Sequence, residues 1–199
     1  IRPTQMIGTE KWESYIFNKY RDQGFSIEEA KKKSLAFWKQ VQHMTEVKLV
    51  ENEIFEYIRH IHALESHTMG LTARSYDIMP LTFDQLHKVE LAPHFSFQKG
   101  IVPISSLEHH SVFHDGILFC GDNHKGDTLF VALQALDHSP KKVIFVDDRM
   151  DHIKNVAKMC AHHKVPYVGM CYTAASGYEF NHHIVEVQEA HYSRKSKFI

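Results

Sequence analysis

The chain has 199 residues, 43% of them hydrophobic and 24% charged, with a formal net charge of −1. That length holds one domain with a true core, or a core carrying a small insertion. The near-neutral balance gives no reason to expect a nucleic acid or an anionic membrane surface as partner, and no apolar run approaches the length of a membrane span.

The first residue, Ile1, reads as the start of a processed or trimmed piece. Residues 10 to 23 place Trp12, Tyr15, Ile16 and Tyr20 on one helical face, with Gly24 as a C-terminal stop. Ser26 and Glu29 have the spacing of a capping box. The helix that follows keeps Ala30, Ser34, Phe37, Trp38 and Val41 on one side, opposite Lys31 to Lys33. Residues 9 to 50 are therefore expected to form a helical cap or lid, and residues 51 to 199 an α/β core. A third helix begins near Asn52, with Ile54, Tyr57, Ile58 and Ile61 on its face. Thr68 to Leu71 reads as a short strand ending in Thr72, Ala73 and Arg74.

Residues 75 to 116 read as irregular, a length of loop that is functional or hides short elements. Asp115-Gly116 is a turn signal before a strand at Ile117 to Cys120. A polar loop then leads through Lys125-Gly126 into a helix bearing Leu129, Ala132, Leu133 and Leu136. The stretch Val143-Ile-Phe-Val-Asp147-Asp148-Arg149-Met150-Asp151-His152 is a continuous apolar run that meets a cluster of acids. Such a run reads as a strand buried on both faces of a parallel sheet. After it, Ile153, Val156, Ala157, Cys160 and Ala161 repeat with helical spacing. Val165 to Cys171 makes one more strand, and a last helix from about Asn181 runs into a solvated basic tail at Arg194, Lys195 and Lys197. Helices and strands in this order predict an α/β fold with a Rossmann-like parallel sheet.

Cys120, Cys160 and Cys171 are odd in number and sit in apolar stretches, so they read as reduced core thiols, which suits the cytoplasm. The 17 histidines include the pairs 109–110, 162–163 and 182–183. Neighbours in sequence diverge in direction, and none has the spacing of a zinc helix, so most read as solvated. A transition-metal binder is the rival reading, and it rests on the count alone.

Ligands in open α/β sheets sit beyond the carboxyl ends of the strands. Asp147, Asp148 and Asp151 stand at such an end, where clustered carboxylates call for a cation and hard oxygen ligands favour Mg2+. Their plain alternative is a helix cap. Thr72 offers a hydroxyl with Ala73 and Arg74 beside it, and Lys125 a positive charge at a helix N-terminus. Taken singly, Thr72 reads as a turn residue, Lys125 as a surface lysine and Arg74 as a salt-bridge partner. Together and in this order they are what phosphoryl transfer requires.

The motifs Met69-Gly-Leu-Thr72, His124-Lys125-Gly126 and Val146-Asp147-Asp148-Arg-Met-Asp151 resemble the second, third and fourth motifs of the haloacid dehalogenase-like (HAD) phosphatase superfamily. More narrowly, Gly70-Leu-Thr-Ala-Arg74, Gly116-Ile-Leu-Phe119 and Phe145-Val-Asp-Asp-Arg149, with Gln5-Met-Ile-Gly8 and Lys11-Trp12, resemble a bacterial branch known as a domain of unknown function and found in intracellular pathogens. The resemblance implies a HAD-like Rossmannoid parallel sheet with helices on both faces. It also implies a Mg2+-dependent phosphohydrolase working through an aspartyl-phosphate on a phosphorylated small molecule or phosphoprotein.

In that scheme Thr72, Ala73 and Arg74 bind phosphoryl oxygens. Lys125 neutralises phosphate and nucleophile, and Asp147 holds Mg2+ with Asp148 or Asp151. The superfamily's first motif, Asp-x-Asp-x-Thr, supplies the nucleophile. It would lie before Pro3 to Gly8, upstream of Ile1, so the 199 residues alone are expected to be inactive. Its strand is central in that family's sheet, and loss of it would leave unpaired backbone groups at about 1–3 kcal/mol each. The alternative is a non-catalytic HAD-like binding module, or an exported protein acting on a host partner.

Overall fold

A computed structural model describes residues 6–97, 100–175 and 179–195. The chain divides into two compact units, Ile1–Glu46 with Gly177–Ile199, and Val47–Ser176. Among the described residues there are seven α-helices and six strands, a mixed α/β fold.

The first unit is helical. α1 (Glu10–Asp22) starts at Thr9, whose side chain accepts from the Trp12 amide, and it buries Trp12 and Ile16. α2 (Ile27–Gln42) opens with the expected capping box, Ser26 and Glu29 each closing on the other's backbone amide. α7 (His182–Lys195) completes the unit. Val185 packs with Met6, Ile7, Trp12, Ile16 and Val41. Polar ties fasten it further: Gln188 Oε1 accepts from the Met6 and Ile7 amides, and Glu189 receives Trp12 Nε1 and Lys19 Nζ. The expected division at residue 50 thus falls after Glu46. The C-terminal helix, expected within the α/β core, belongs with α1 and α2 because it covers Trp12 and Ile16. Residues 1–5 and 196–199, which include Gln5 and Lys197, lie outside the described residues.

The second unit holds α3 (Ile54–Ala63), α4 (Met79–Lys88), α5 (Lys125–Ala135) and α6 (Met150–His162). Its strands are β1 (Gly70–Thr72), β2 (Val102–Ile104), β3 (Ser111–His114), β4 (Ile117–Phe119), β5 (Val143–Asp147) and β6 (Tyr167–Cys171). The sheet order is β1-β4-β3-β2, with β1 and β4 parallel and the other pairs antiparallel. β5 and β6 form a separate parallel pair. The expectation of one parallel sheet is therefore corrected to a small mixed sheet beside a parallel pair. The cause is a tight hairpin: Asp115 and Gly116 both take positive φ, 40° and 83°, which turns β3 back along β4. A Cβ at Gly116 would stand 2.4 Å from Phe95 Cβ, so no larger residue fits.

α5 is the centre of the packing. Ala132, with Leu136 just beyond the helix end, meets Ile104, Phe113 and Leu118 of the mixed sheet, and Leu129 and Leu133 meet Phe145, Ile153 and Val156. A helix wedged between two layers is apolar around much of its surface. Two burial expectations need correction. β5 is buried on one face only: Phe145 is 8% exposed and packs against α5 and α6, but Ile144 and Val146, on the opposite face, are 58% and 52% exposed. On α3 only Ile58 is buried, while Tyr57 and Ile61 face outward.

All three cysteines are free; Cys120 and Cys160 are buried, whereas Cys171, expected in the core, is exposed at the end of β6. Burial pushes the Cys120 thiol up to about 12, and burial also raises Cys160. In the native protein at pH 8, a chromogenic disulfide reagent should therefore titrate one thiol rapidly and all three only after denaturation. Fast reaction of two or more native thiols would contradict this packing.

Candidate functional site

The carboxyl ends of β1 and β5 and the start of α5 meet at one rim of the second unit. β1 ends at Thr72, whose hydroxyl accepts from the Arg74 amide and whose carbonyl accepts from the Cys120 amide. The chain leaving β4 is tied by the Gly121 amide to the Arg74 carbonyl, and then turns at Asn123 into α5. Asn123 anchors this turn by donating from Nδ2 to the His109 carbonyl (2.6 Å) and Ser111 Oγ (2.8 Å).

Lys125 is the first residue of α5, and its side chain reaches back across the rim. Its Nζ donates to the Leu71 carbonyl at 3.1 Å and to Asp147 Oδ2 at 2.7 Å. The two side chains are 8% and 7% exposed, so this is a buried ion pair. Burying such a pair costs several kcal/mol of desolvation per ion, offset only when the remaining polar valences are filled. Here most of them are: Asp147 Oδ1 accepts from the Arg149 amide at 2.9 Å and lies 3.0 Å from His152 Nδ1, and the Leu71 carbonyl takes a second Lys125 hydrogen. Burial raises the Asp147 pKa, but the Lys125 hydrogen bond, the Arg149 amide, the Lys125 charge and His152 outweigh it, and the net shift is downward.

Lys125 and Asp147, far apart in sequence, thus meet against Leu71, the residue before Thr72. Other residues of the expected site are placed differently. Arg74 sends Nη1 to Thr82 Oγ1 (3.1 Å) and Gln85 Oε1 (2.7 Å) on α4, and burial lowers its pKa. Ala73 and Asp148 are exposed. Asp151 is exposed and receives Arg149 Nε at 3.1 Å and Nη2 at 2.6 Å. The Arg149 hydrogen bond is the main cause holding its carboxyl down at about 2. Among the described residues no group of three His, Cys, Asp or Glu side chains is arranged to hold a metal ion.

Two participants went unrecognised in the sequence. His152 sits five residues after Asp147, on the first turn of α6, a position with no periodic signature. Asn155 accepts the Gly126 amide at 2.6 Å, so that amide of the α5 N-terminus is already engaged. Gly126 permits the approach, since a Cβ there would stand 2.7 Å from the Asn155 carbonyl. The histidine pairs at 109–110, 162–163 and 182–183 are exposed, as expected.

These features define a mixed α/β protein with a buried lysine–aspartate pair at the meeting of two strand ends and a helix start. The whole chain, residues 1–199, matches the model of a family described as protein of unknown function (DUF2608), and the chain belongs to that family. It is similar to a protein of Chlamydia pneumoniae named "Putative outer membrane protein", 28% identical over 163 residues that cover 82% of this chain and 61% of the relative. A protein of the same name from Chlamydia muridarum is 28% identical over 170 residues, covering 85% and 64%. The Chlamydia trachomatis serovar D counterpart is 28% identical over 162 residues, covering 81% and 60%. The chain therefore spans less than two thirds of the length of these relatives. No solved structure matches it. Among the described residues, no helix is long and apolar enough to cross a membrane.

Removing one partner of a buried pair leaves the other charge stranded, at about 3–5 kcal/mol. Lys125→Met and Asp147→Asn should each destabilise the protein by that order in urea unfolding. The double variant should lose clearly less than the sum of the two. Additive losses would contradict a direct pair.

Proposed function

We propose that this protein is a Mg2+-dependent phosphohydrolase of the HAD type, working through an aspartyl-phosphate whose nucleophilic Asp lies outside the 199 residues. The observation that supports the reading is Lys125 Nζ held between the Leu71 carbonyl, one residue before Thr72, and the Asp147 carboxylate. A phosphoryl group in transfer needs a hydrogen-bond donor and fixed positive charge aimed at its equatorial oxygens. The Thr72 hydroxyl, already an acceptor for the Arg74 amide, keeps its hydrogen to donate to such an oxygen. The Lys125 ammonium supplies the positive charge without the cost of reorganising.

Mg2+ is commonly bound through one or two carboxylates, with waters and phosphate oxygens completing its shell. Asp147 fits that role as one ligand; Asp148 would act through water, and Asp151 only after release from Arg149. The ion would neutralise charge on the phosphoryl oxygens. Among the described residues β1 is paired only with β4, and β5 only with β6, which leaves an edge of each for a further strand. A strand lying there would extend the sheet toward the HAD-like Rossmannoid form and could carry the nucleophile. The substrate would be a phosphorylated small molecule or phosphoprotein.

A second reading, a non-catalytic HAD-like binding module at the bacterial surface or exported to a host, is favoured by one observation. Asp151 is committed to Arg149, so the three acids do not converge. The name that the relatives carry, "Putative outer membrane protein", suits that reading.

The test is release of p-nitrophenol from p-nitrophenyl phosphate by the protein in its natural full length, with and without Mg2+, beside Asp147→Asn. The phosphohydrolase reading expects Mg2+-dependent turnover that falls on the order of a hundredfold in the variant. Equal, negligible turnover in both would overturn it in favour of the binding module.

A further inference from the structure

We infer that His152 is a positioning residue for the Asp147 carboxylate, closing Oδ1 and leaving Oδ2 as its single open acceptor. This rests on the reading of Asp147 as a cation ligand. A carboxylate offers two oxygens with two lone pairs each. Asp147 Oδ1 takes the Arg149 amide at 2.9 Å and stands 3.0 Å from His152 Nδ1, so both of its lone pairs are engaged. Oδ2 takes Lys125 Nζ at 2.7 Å, and one lone pair is left there. An ionised carboxylate only accepts, so His152 Nδ1 is the donor and carries the hydrogen.

The geometry has a chemical consequence. A divalent ion meeting this carboxylate finds a single site, on Oδ2, beside the Lys125 ammonium and the β1 carbonyl end. Bidentate chelation by Asp147 is blocked by His152 and the Arg149 amide. The ring is well placed to hold the carboxylate in this way. His152 lies on the first turn of α6, its side chain is 20% exposed, and it bridges the helix to the strand end. No step of the proposed hydrolysis uses the ring otherwise. Outer-shell partners that orient a ligand typically contribute about 10–100-fold to metal affinity.

The experiment uses the natural full-length protein with Mn2+ as a paramagnetic stand-in for Mg2+, and the variants His152→Ala and His152→Asn. An Asn side chain presents an N–H at nearly the same place as Nδ1. Binding measured by electron paramagnetic resonance should weaken about tenfold in His152→Ala and return to near wild type in His152→Asn. Equal binding by all three proteins would overturn the inference while leaving the cation reading intact. Absence of Mn2+ binding in the wild type would overturn the cation reading itself. A second readout then judges His152 alone. The 15N chemical shifts of its ring, assigned by difference with His152→Asn, should show a proton on Nδ1. A ring protonated only on Nε2 would overturn the inference whatever the metal result.

Discussion

A lysine ammonium and an aspartate carboxylate, both withdrawn from water, lock together three distant segments of the α/β unit. Lys125 belongs to the helix on which both layers pack, Asp147 to the strand that α6 covers, and the Leu71 carbonyl to a strand of the other sheet. Moving any one of the three would strand a charge or a carbonyl in a low-dielectric interior. The apolar contacts of α5 set how close the layers come; the ion pair sets their register at the rim.

Much of the site was legible because its chemistry is dense in sequence. A run of apolar residues meeting three acids is hard to place anywhere but at a strand end, and Val143–Asp147 is β5. The capping box at Ser26 and the turn at Asp115-Gly116 were equally readable, since each depends on local geometry alone. What sequence could not show was pairing at a distance. β2 and β3 are three and four residues long, β2 carries Pro103, and neither shows an alternation long enough to count. Whether α7 would pack on α1 or on the sheet depends on Val185 meeting Trp12 and Ile16, a contact across most of the chain.

The open face of the parallel pair is the fold's departure from its own sequence pattern. Ile144 and Val146 on β5 stand opposite Val168 and Met170 on β6, and all four are exposed. Parallel strands are ordinarily covered on both faces, so this composition anticipates a cover that the described residues do not provide. The same reasoning misplaced Cys171, whose apolar neighbours in sequence lie on that uncovered strand. The acids show a related limit. Spacing put Asp148 and Asp151 beside Asp147, but the helix start turns Asp151 toward Arg149, and only Asp147 reaches the buried rim.

The lysine's own ammonium protons offer the most direct view of this arrangement. In a 15N-edited NMR spectrum, an ammonium held by a buried carboxylate and a carbonyl exchanges slowly enough to be seen, and it shows scalar coupling through its hydrogen bond to the Asp147 carboxyl carbon. A resolved Lys125 signal with that coupling is the result the structure requires. A Lys125 ammonium that exchanges like those of the exposed lysines would mean that the three segments do not meet.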